Sequence, residues 1–135
     1  MVLVRITIMV MRLCVLAAGI LGILFWTGRI VAEDPLLELH MGLGILVALS
    51  LLVMGYFIAT VKGGNSGLAI GAFVLAICMT ALGWSQLSVL HTSSLSWLIQ
   101  IVHPLLGLLA IGVGEMIARH YKRLSVSTEQ SQKYS

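Results

Sequence analysis

Four apolar stretches, at about 8–29, 36–61, 67–91 and 96–119, dominate this 135-residue chain. Each exceeds the ~20 residues that carry a helix across a bilayer core. Inside hydrocarbon every backbone N–H and C=O must be satisfied within its own segment, so such stretches span as helices. Hydrophobic residues make up 59% of the chain and charged ones 10%, against roughly 25% charged in a soluble domain. An integral membrane protein follows. The breaks between stretches are short, which forces neighbouring helices to run antiparallel. The expected fold is therefore an all-α, up-down-up-down bundle of four transmembrane helices over residues 1–121, with a polar tail at 122–135.

The breaks carry turn chemistry. Asp34-Pro35 reads as an N-cap followed by proline at the first helical position. Residues Gly63, Gly64, Asn65, Ser66 and Gly67 form a short flexible turn, with Ser66 able to cap the third span. Thr92, Ser93, Ser94 and Ser96 offer caps to the fourth. Glu115 and Arg119, four apart, suit a surface ion pair. The tail "KRLSVSTEQSQKYS" lacks apolar periodicity and reads as a disordered or peripheral end.

Charge placement sets the orientation. Arg5, Arg12, Lys62, Arg119, Lys122, Arg123 and Lys133 fall on one side of the four-span topology, and Arg29 alone among the basic residues falls on the other. The positive-inside rule puts both termini and the "KGGNSG" turn in the cytoplasm of a cell whose inner (plasma) membrane holds the chain. The net charge of +3 is too small to argue for nucleic acid. No small-x-small cleavage site precedes Glu33, so the first stretch reads as a retained span. Cys14 and Cys78 lie within spans, where small buried thiols rather than disulfides are expected.

Against this background two histidines stand out. "ELHMGLG" (38–44) and "VHPLLG" (102–107) share a skeleton of histidine, three residues, glycine. His40 is five residues past Pro35 and His103 seven past Ser96, which at ~1.5 Å per residue sets both about 7 to 10 Å below the outer helix starts. Spans two and four run the same way and sit diagonally, so two inward imidazoles at one level can face each other across the bundle axis. A weak repeat supports the pairing. "ILFWTG" and "ALGWSQ" place Trp26 and Trp84 at 14 and 19 residues before the two histidines, relating the halves by an axis along the membrane normal.

Ionisable groups inside a span are expensive and mark function by default. A single membrane histidine is ordinarily an interhelical hydrogen-bonder; a matched pair at one depth points instead to ligation. Haem iron accepts a neutral imidazole at each axial position, and a porphyrin fills the gap between diagonal helices. Gly44 and Gly107, at i+4 on each histidine's own face, leave room for a flat macrocycle. His91, ending the third span, is either a propionate contact, a spare ligand or a solvated interfacial residue. His120 reads as interfacial on the cytoplasmic side. Met54 and Met79 are deep enough to ligate a second iron, though methionine there ordinarily packs. Glu38 is either a carboxylate that orients a ligand through its free N–H, a proton acceptor for quinol, or an interfacial side chain reaching water. Gln86 and Gln100 are candidate donors to a propionate or quinone carbonyl. Trp26, Trp84 and Trp97 fit an aromatic belt at the outer face.

Four spans with histidines on the second and fourth near the outer face resemble one half of the haem A synthase fold. The resemblance covers the span region in layout and implies haem held between His40 and His103. This chain departs from the family pattern: Glu38 stands two, not three, before the first histidine, Met41 replaces the arginine that follows it, outer-loop cysteines are absent, and there is one half rather than two. A looser resemblance to four-helix b-type cytochromes, including the b561 group, implies electron transfer. The expectation is a haem b protein exchanging electrons with quinol or a redox partner as a subunit of a larger membrane complex. The alternatives are a cofactor-free accessory or assembly subunit, a haem-modifying half-synthase acting as a homodimer, and a (bacterio)chlorophyll-binding subunit.

Overall fold

The computed structural model of the chain describes residues 2–31, 35–89 and 96–133. They form four helices: α1 (Val2–Trp26), α2 (Leu36–Thr60), α3 (Ser66–Val89) and α4 (Ser96–Lys133). All four are long and apolar enough to cross a membrane.

Helix α1 begins six residues before the expected start. Nothing in 2–7 breaks a helix: Arg5 can extend its charge to the interface, and the Thr7 hydroxyl donates to the Leu3 carbonyl at 2.9 Å. Its far end closes with a Schellman arrangement. Gly28 adopts φ +64°, its N–H donates to the Phe25 carbonyl at 3.1 Å, and the Arg29 N–H reaches back to the Leu24 carbonyl at 3.0 Å. Helix α2 follows Pro35, whose carbonyl accepts from the Leu39 N–H at 3.0 Å; the expected cap Asp34 lies outside the described residues.

Between α2 and α3 the chain turns on Gly63, at φ +79°. Asn65, not Ser66, caps α3: its Oδ1 accepts from the Leu68 N–H at 3.0 Å. Helix α3 starts at Ser66, so Asn65 stands at the N-cap and makes the usual bond to the third helical N–H. Helix α4 continues well past residue 119, to Lys133, because residues 122–133 contain no glycine or proline and include good helix formers. The expected serine and threonine caps at 92–94 lie outside the described residues.

Helix α2 packs against α1 and α3, and α4 against α3 and α1, closing a four-helix ring. Across the ring α2 touches α4, whereas α1 and α3 do not meet among the described residues. The diagonal on which both histidines lie is thus the short one. Among the described residues the core lies in the half of the bundle nearest the chain ends. Its buried side chains are Val4, Ile8, Met11 and Cys14 on α1, then Val47, Ala48, Leu51, Met54 and Ile58 on α2. Facing them are Ala69, Ala72, Leu75, Ala76 and Met79 on α3, with Ala110 and Ile117 on α4. Met54 and Met79 are accordingly core packing. Cys78, by contrast with buried Cys14, is exposed on the lipid-facing side of α3.

Small residues let the backbones close in this half. A Cβ on Gly55 of α2 would stand 3.3 Å from the Ala72 Cβ and 3.4 Å from the Ala69 carbonyl oxygen of α3. Gly114 of α4 faces Ile8 and Met11 of α1. One charged pair also crosses this seam. The Arg12 guanidinium of α1 donates to the Glu115 carboxylate of α4, through Nε at 2.7 Å and through a second nitrogen. Glu115 therefore pairs between helices rather than with Arg119 as its spacing suggested. His120 Nε2 donates to the Gly63 carbonyl at 3.3 Å, fastening the α2–α3 turn to α4.

Replacing Gly55 by leucine should separate α2 from α3 and destabilise the bundle by about 1–3 kcal/mol, the usual cost of overpacking. Gly42→Ala, where an added Cβ meets nothing within 4 Å, should be near neutral. Thermal unfolding in detergent, followed by circular dichroism, distinguishes the two.

Candidate functional site

Beyond the core, toward the other end of the bundle, packing changes character. Among the described residues, every buried apolar side chain lies at least one helical turn closer to the chain ends than the histidine of its own helix, or than the glycine facing that histidine on α1 or α3. At that outer level the residues facing inward are His40, His103, Gly22, Gly83 and Phe25.

The two imidazoles converge as their spacing predicted. Their ring centres are 6.1 Å apart, with the planes inclined at 48°. Phe25 of α1 packs edge-on against His40, with centroids 5.8 Å apart. Glycines on the neighbouring helices seat the rings: a Cβ on Gly22 of α1 would lie 3.5 Å from His40 Cε1, and one on Gly83 of α3 would lie 3.8 Å from His103 Cε1. A Cβ alone would be in ordinary contact with its imidazole at either position; a side chain as long as leucine's would crowd it. The backbone of Ala18, one turn before Gly22, offers His40 a hydrogen-bond acceptor. Pro104 follows His103 inside α4; lacking an N–H, it releases the Gln100 carbonyl from the helical ladder and loosens the turn that carries the histidine.

Both Nδ1 atoms are buried and have no hydrogen-bond partner among the described residues. A buried polar atom left unpaired costs about 1–3 kcal/mol, so two of them on adjacent rings invite a ligand. With metal–imidazole bonds of about 2.0–2.1 Å, and about 1 Å from nitrogen to ring centre, two imidazoles on opposite sides of one ion stand about 6 Å apart. The observed separation matches. No group of three or more His, Cys, Asp or Glu side chains forms among the described residues. The pair therefore suits an ion that brings its own equatorial ligands, as iron in a porphyrin does.

The other expected site residues distribute as follows. Gly44 faces open space, as clearance requires, whereas Gly107 is in ordinary contact with Val15 of α1, 3.7 Å from where its Cβ would be. Glu38 is exposed, as is Gln100, and Glu38 does not satisfy the Nδ1 of His40. His91 and the side chain of Gln86 lie outside the described residues. Trp26, Trp84 and Trp97 are all exposed at the histidine end, where a belt would be. A concavity of about 580 Å³ opens to the outside along the α2–α3 seam between Ala48, Ala76 and Trp84. It contains neither imidazole, and its lining is almost wholly apolar.

Sequence reasoning missed Gly22, Gly83, Phe25 and Pro104. The repeat held the signal: Gly22 precedes His40 by 18 residues and Gly83 precedes His103 by 20, a closer match than the tryptophans give. Comparison with protein-family models, with curated proteins and with solved structures finds no match to this chain.

Because the unpaired Nδ1 atoms are a cost to the bare polypeptide, the double variant His40→Leu/His103→Leu should not weaken it. Prepared free of any cofactor, that variant should unfold at or above the temperature of the parent chain, as replacing both unsatisfied groups by apolar ones permits. Differential scanning calorimetry in detergent makes the comparison.

Proposed function

We propose that this chain is a membrane haem b protein in which His40 and His103 are the two axial ligands. The observation that carries the reading is the pair of imidazoles 6.1 Å apart on the short diagonal, each with an orphan Nδ1, in the half of the bundle that the apolar core leaves free. Bound there, haem supplies reversible one-electron chemistry with both axial positions filled, which favours electron transfer over oxygen binding.

The chain's own residues do the rest. Gly22 and Gly83 hold the imidazoles in place by leaving room for their edges, and Phe25 fixes the orientation of the His40 ring. Distribution of the basic residues puts the chain ends in the cytoplasm, so the pair lies near the outer face of the plasma membrane. Exposed Glu38, two residues from His40, stands at the same level, where a carboxylate can take the proton that quinol releases on oxidation. At this size the chain serves as a subunit of a larger membrane complex, exchanging electrons with quinol or a redox partner.

A second reading, in which the histidines merely tie helices together in a cofactor-free accessory subunit, draws on the Ala18 acceptor beside His40. It leaves the two Nδ1 atoms unexplained. The haem A synthase resemblance would add chemistry on the haem itself, and a (bacterio)chlorophyll would use one of the two imidazoles.

One optical experiment separates these readings. The chain purified with haem supplied should show a b-type α-band in its reduced-minus-oxidised spectrum. His40→Ala and His103→Ala should each abolish or shift the band, and Gly22→Leu and Gly83→Leu should weaken it by displacing the imidazoles. His120→Ala and Gly42→Ala should retain it. A spectrum with no such band overturns the haem reading, and a chlorophyll spectrum replaces it with the pigment one.

A further inference from the structure

The end of the bundle opposite the histidines holds a second feature that electron transfer does not use. Between α1 and α4 lies a cleft of about 200 Å³, bordered by Arg5 and Arg12 from one helix and by Glu115, Arg119 and Lys122 from the other. Four basic side chains meet one carboxylate there. That carboxylate is already engaged by Arg12, so the cleft as a whole carries an excess of positive charge. Its remaining walls are the apolar Val4, Ile8 and Ala118 together with Tyr121.

Depth along the helices gives the cleft its meaning. Glu115 is twelve residues beyond His103 and Arg12 ten before Gly22, which sets their pair about 15 to 18 Å below the histidine level at ~1.5 Å per residue. Arg5 and Arg119 lie about 24 to 26 Å below it on the same measure. With the histidines 7 to 10 Å beneath the outer helix starts, as argued above, and a hydrocarbon core of about 30 Å, Arg5 and Arg119 reach the headgroup layer. The Arg12–Glu115 pair sits roughly one to two turns inside it. Inward along the same helix faces, Leu16 (four residues from Arg12) and Leu108 (seven from Glu115) are exposed apolar side chains. The surface thus changes from cationic to apolar in the order that a phospholipid changes from headgroup to acyl chain.

We propose that this cleft binds the phosphate headgroup of an anionic phospholipid from the leaflet facing the chain ends. Arg5 and Arg119 contact the phosphate oxygens, and guanidinium groups suit that role because their planar forks match phosphate geometry. The acyl chains lie along the Leu16 and Leu108 track. Glu115 turns Arg12 toward α4 and excludes a second phosphate from the inner part of the cleft by like-charge repulsion. Bound this way, the lipid joins α1 to α4, the first and last helices of the bundle.

The test uses the full chain in a neutral detergent. Thermal unfolding is followed while phosphatidylglycerol, phosphatidylcholine or inorganic phosphate is titrated in. Phosphatidylglycerol should raise the unfolding temperature saturably, and the other two should not. Each basic residue beside an anionic headgroup contributes about a factor of five in affinity. Arg5→Gln/Arg119→Gln should therefore weaken the apparent affinity about 25-fold, while Arg29→Gln, beyond the opposite end of α1, leaves it unchanged. Native mass spectrometry of the unsubstituted chain with both lipids competing should show selective retention of phosphatidylglycerol, a result that does not depend on any variant. Equal retention of the two lipids overturns the proposal. So does stabilisation by inorganic phosphate alone, or an undiminished affinity in the double variant.

Discussion

In hydrocarbon, no expulsion of water drives one helix against another, so a bundle holds together through contact alone, and contact depends on how closely the backbones approach. This chain concentrates that approach in one half. Gly55 against Ala69 and Ala72, and Gly114 against Ile8 and Met11, bring α2 to α3 and α4 to α1. Around them lie all the fully buried apolar side chains among the described residues, and the Arg12–Glu115 pair crosses the same seam. Stability gathered there lets the other half depart from good packing, and it does so where the imidazoles are. Two unpaired ring nitrogens in lipid would be hard to sustain in a bundle that relied on that region for cohesion.

How much of this was legible in the sequence depended on the range of the interaction. Four spans, their order and the turns between them followed from local signals, and the convergence of His40 and His103 followed from helix direction and rise. What escaped was set by contacts between segments. Gly22 and Gly83 are unremarkable on their own helices and acquire a role only because an imidazole from the next helix rests on them. Glu115 has a basic residue four positions away, yet it pairs with Arg12 from the far end of the chain, which spacing within one helix cannot reveal. Cys78 sits in an apolar run whose two faces differ little in hydrophobicity, so which side turned to lipid was not readable. The tail beyond residue 119 was misjudged for another reason: missing periodicity signals a missing packing partner, not a missing helix. Asn65 and Ser66 are both able caps, and the sequence did not show that the helix would start at Ser66 and leave Asn65 in the capping position.

The site is asymmetric despite its near two-fold plan. Both imidazoles have a glycine seat, but Phe25 packs on His40 alone, the Ala18 acceptor serves His40, and Pro104 follows His103 alone. One histidine is therefore braced by its surroundings, while the other sits on a turn with a weakened backbone ladder. Were the two rings to serve as the proposed axial ligands, this division would be useful. A braced ring sets the geometry, and a more yielding one adjusts to it.

The arrangement of glycine seats also bears on how the protein is made. Each seat and its histidine belong to one helical hairpin, Gly22 with His40 in the first and Gly83 with His103 in the second. Neither hairpin alone presents more than one ring. During synthesis α1 and α2 enter the membrane before α3 and α4 exist, so a ligand spanning both rings cannot be captured until the last helix is in place. On the proposed haem reading, loading would be deferred to the end of biogenesis, and an interrupted or truncated chain would be left with half a grip on the cofactor. Such a protein would also expose Val15 and the face of α1 that α4 normally covers, a distinctive surface by which quality control can tell unfinished copies from completed ones.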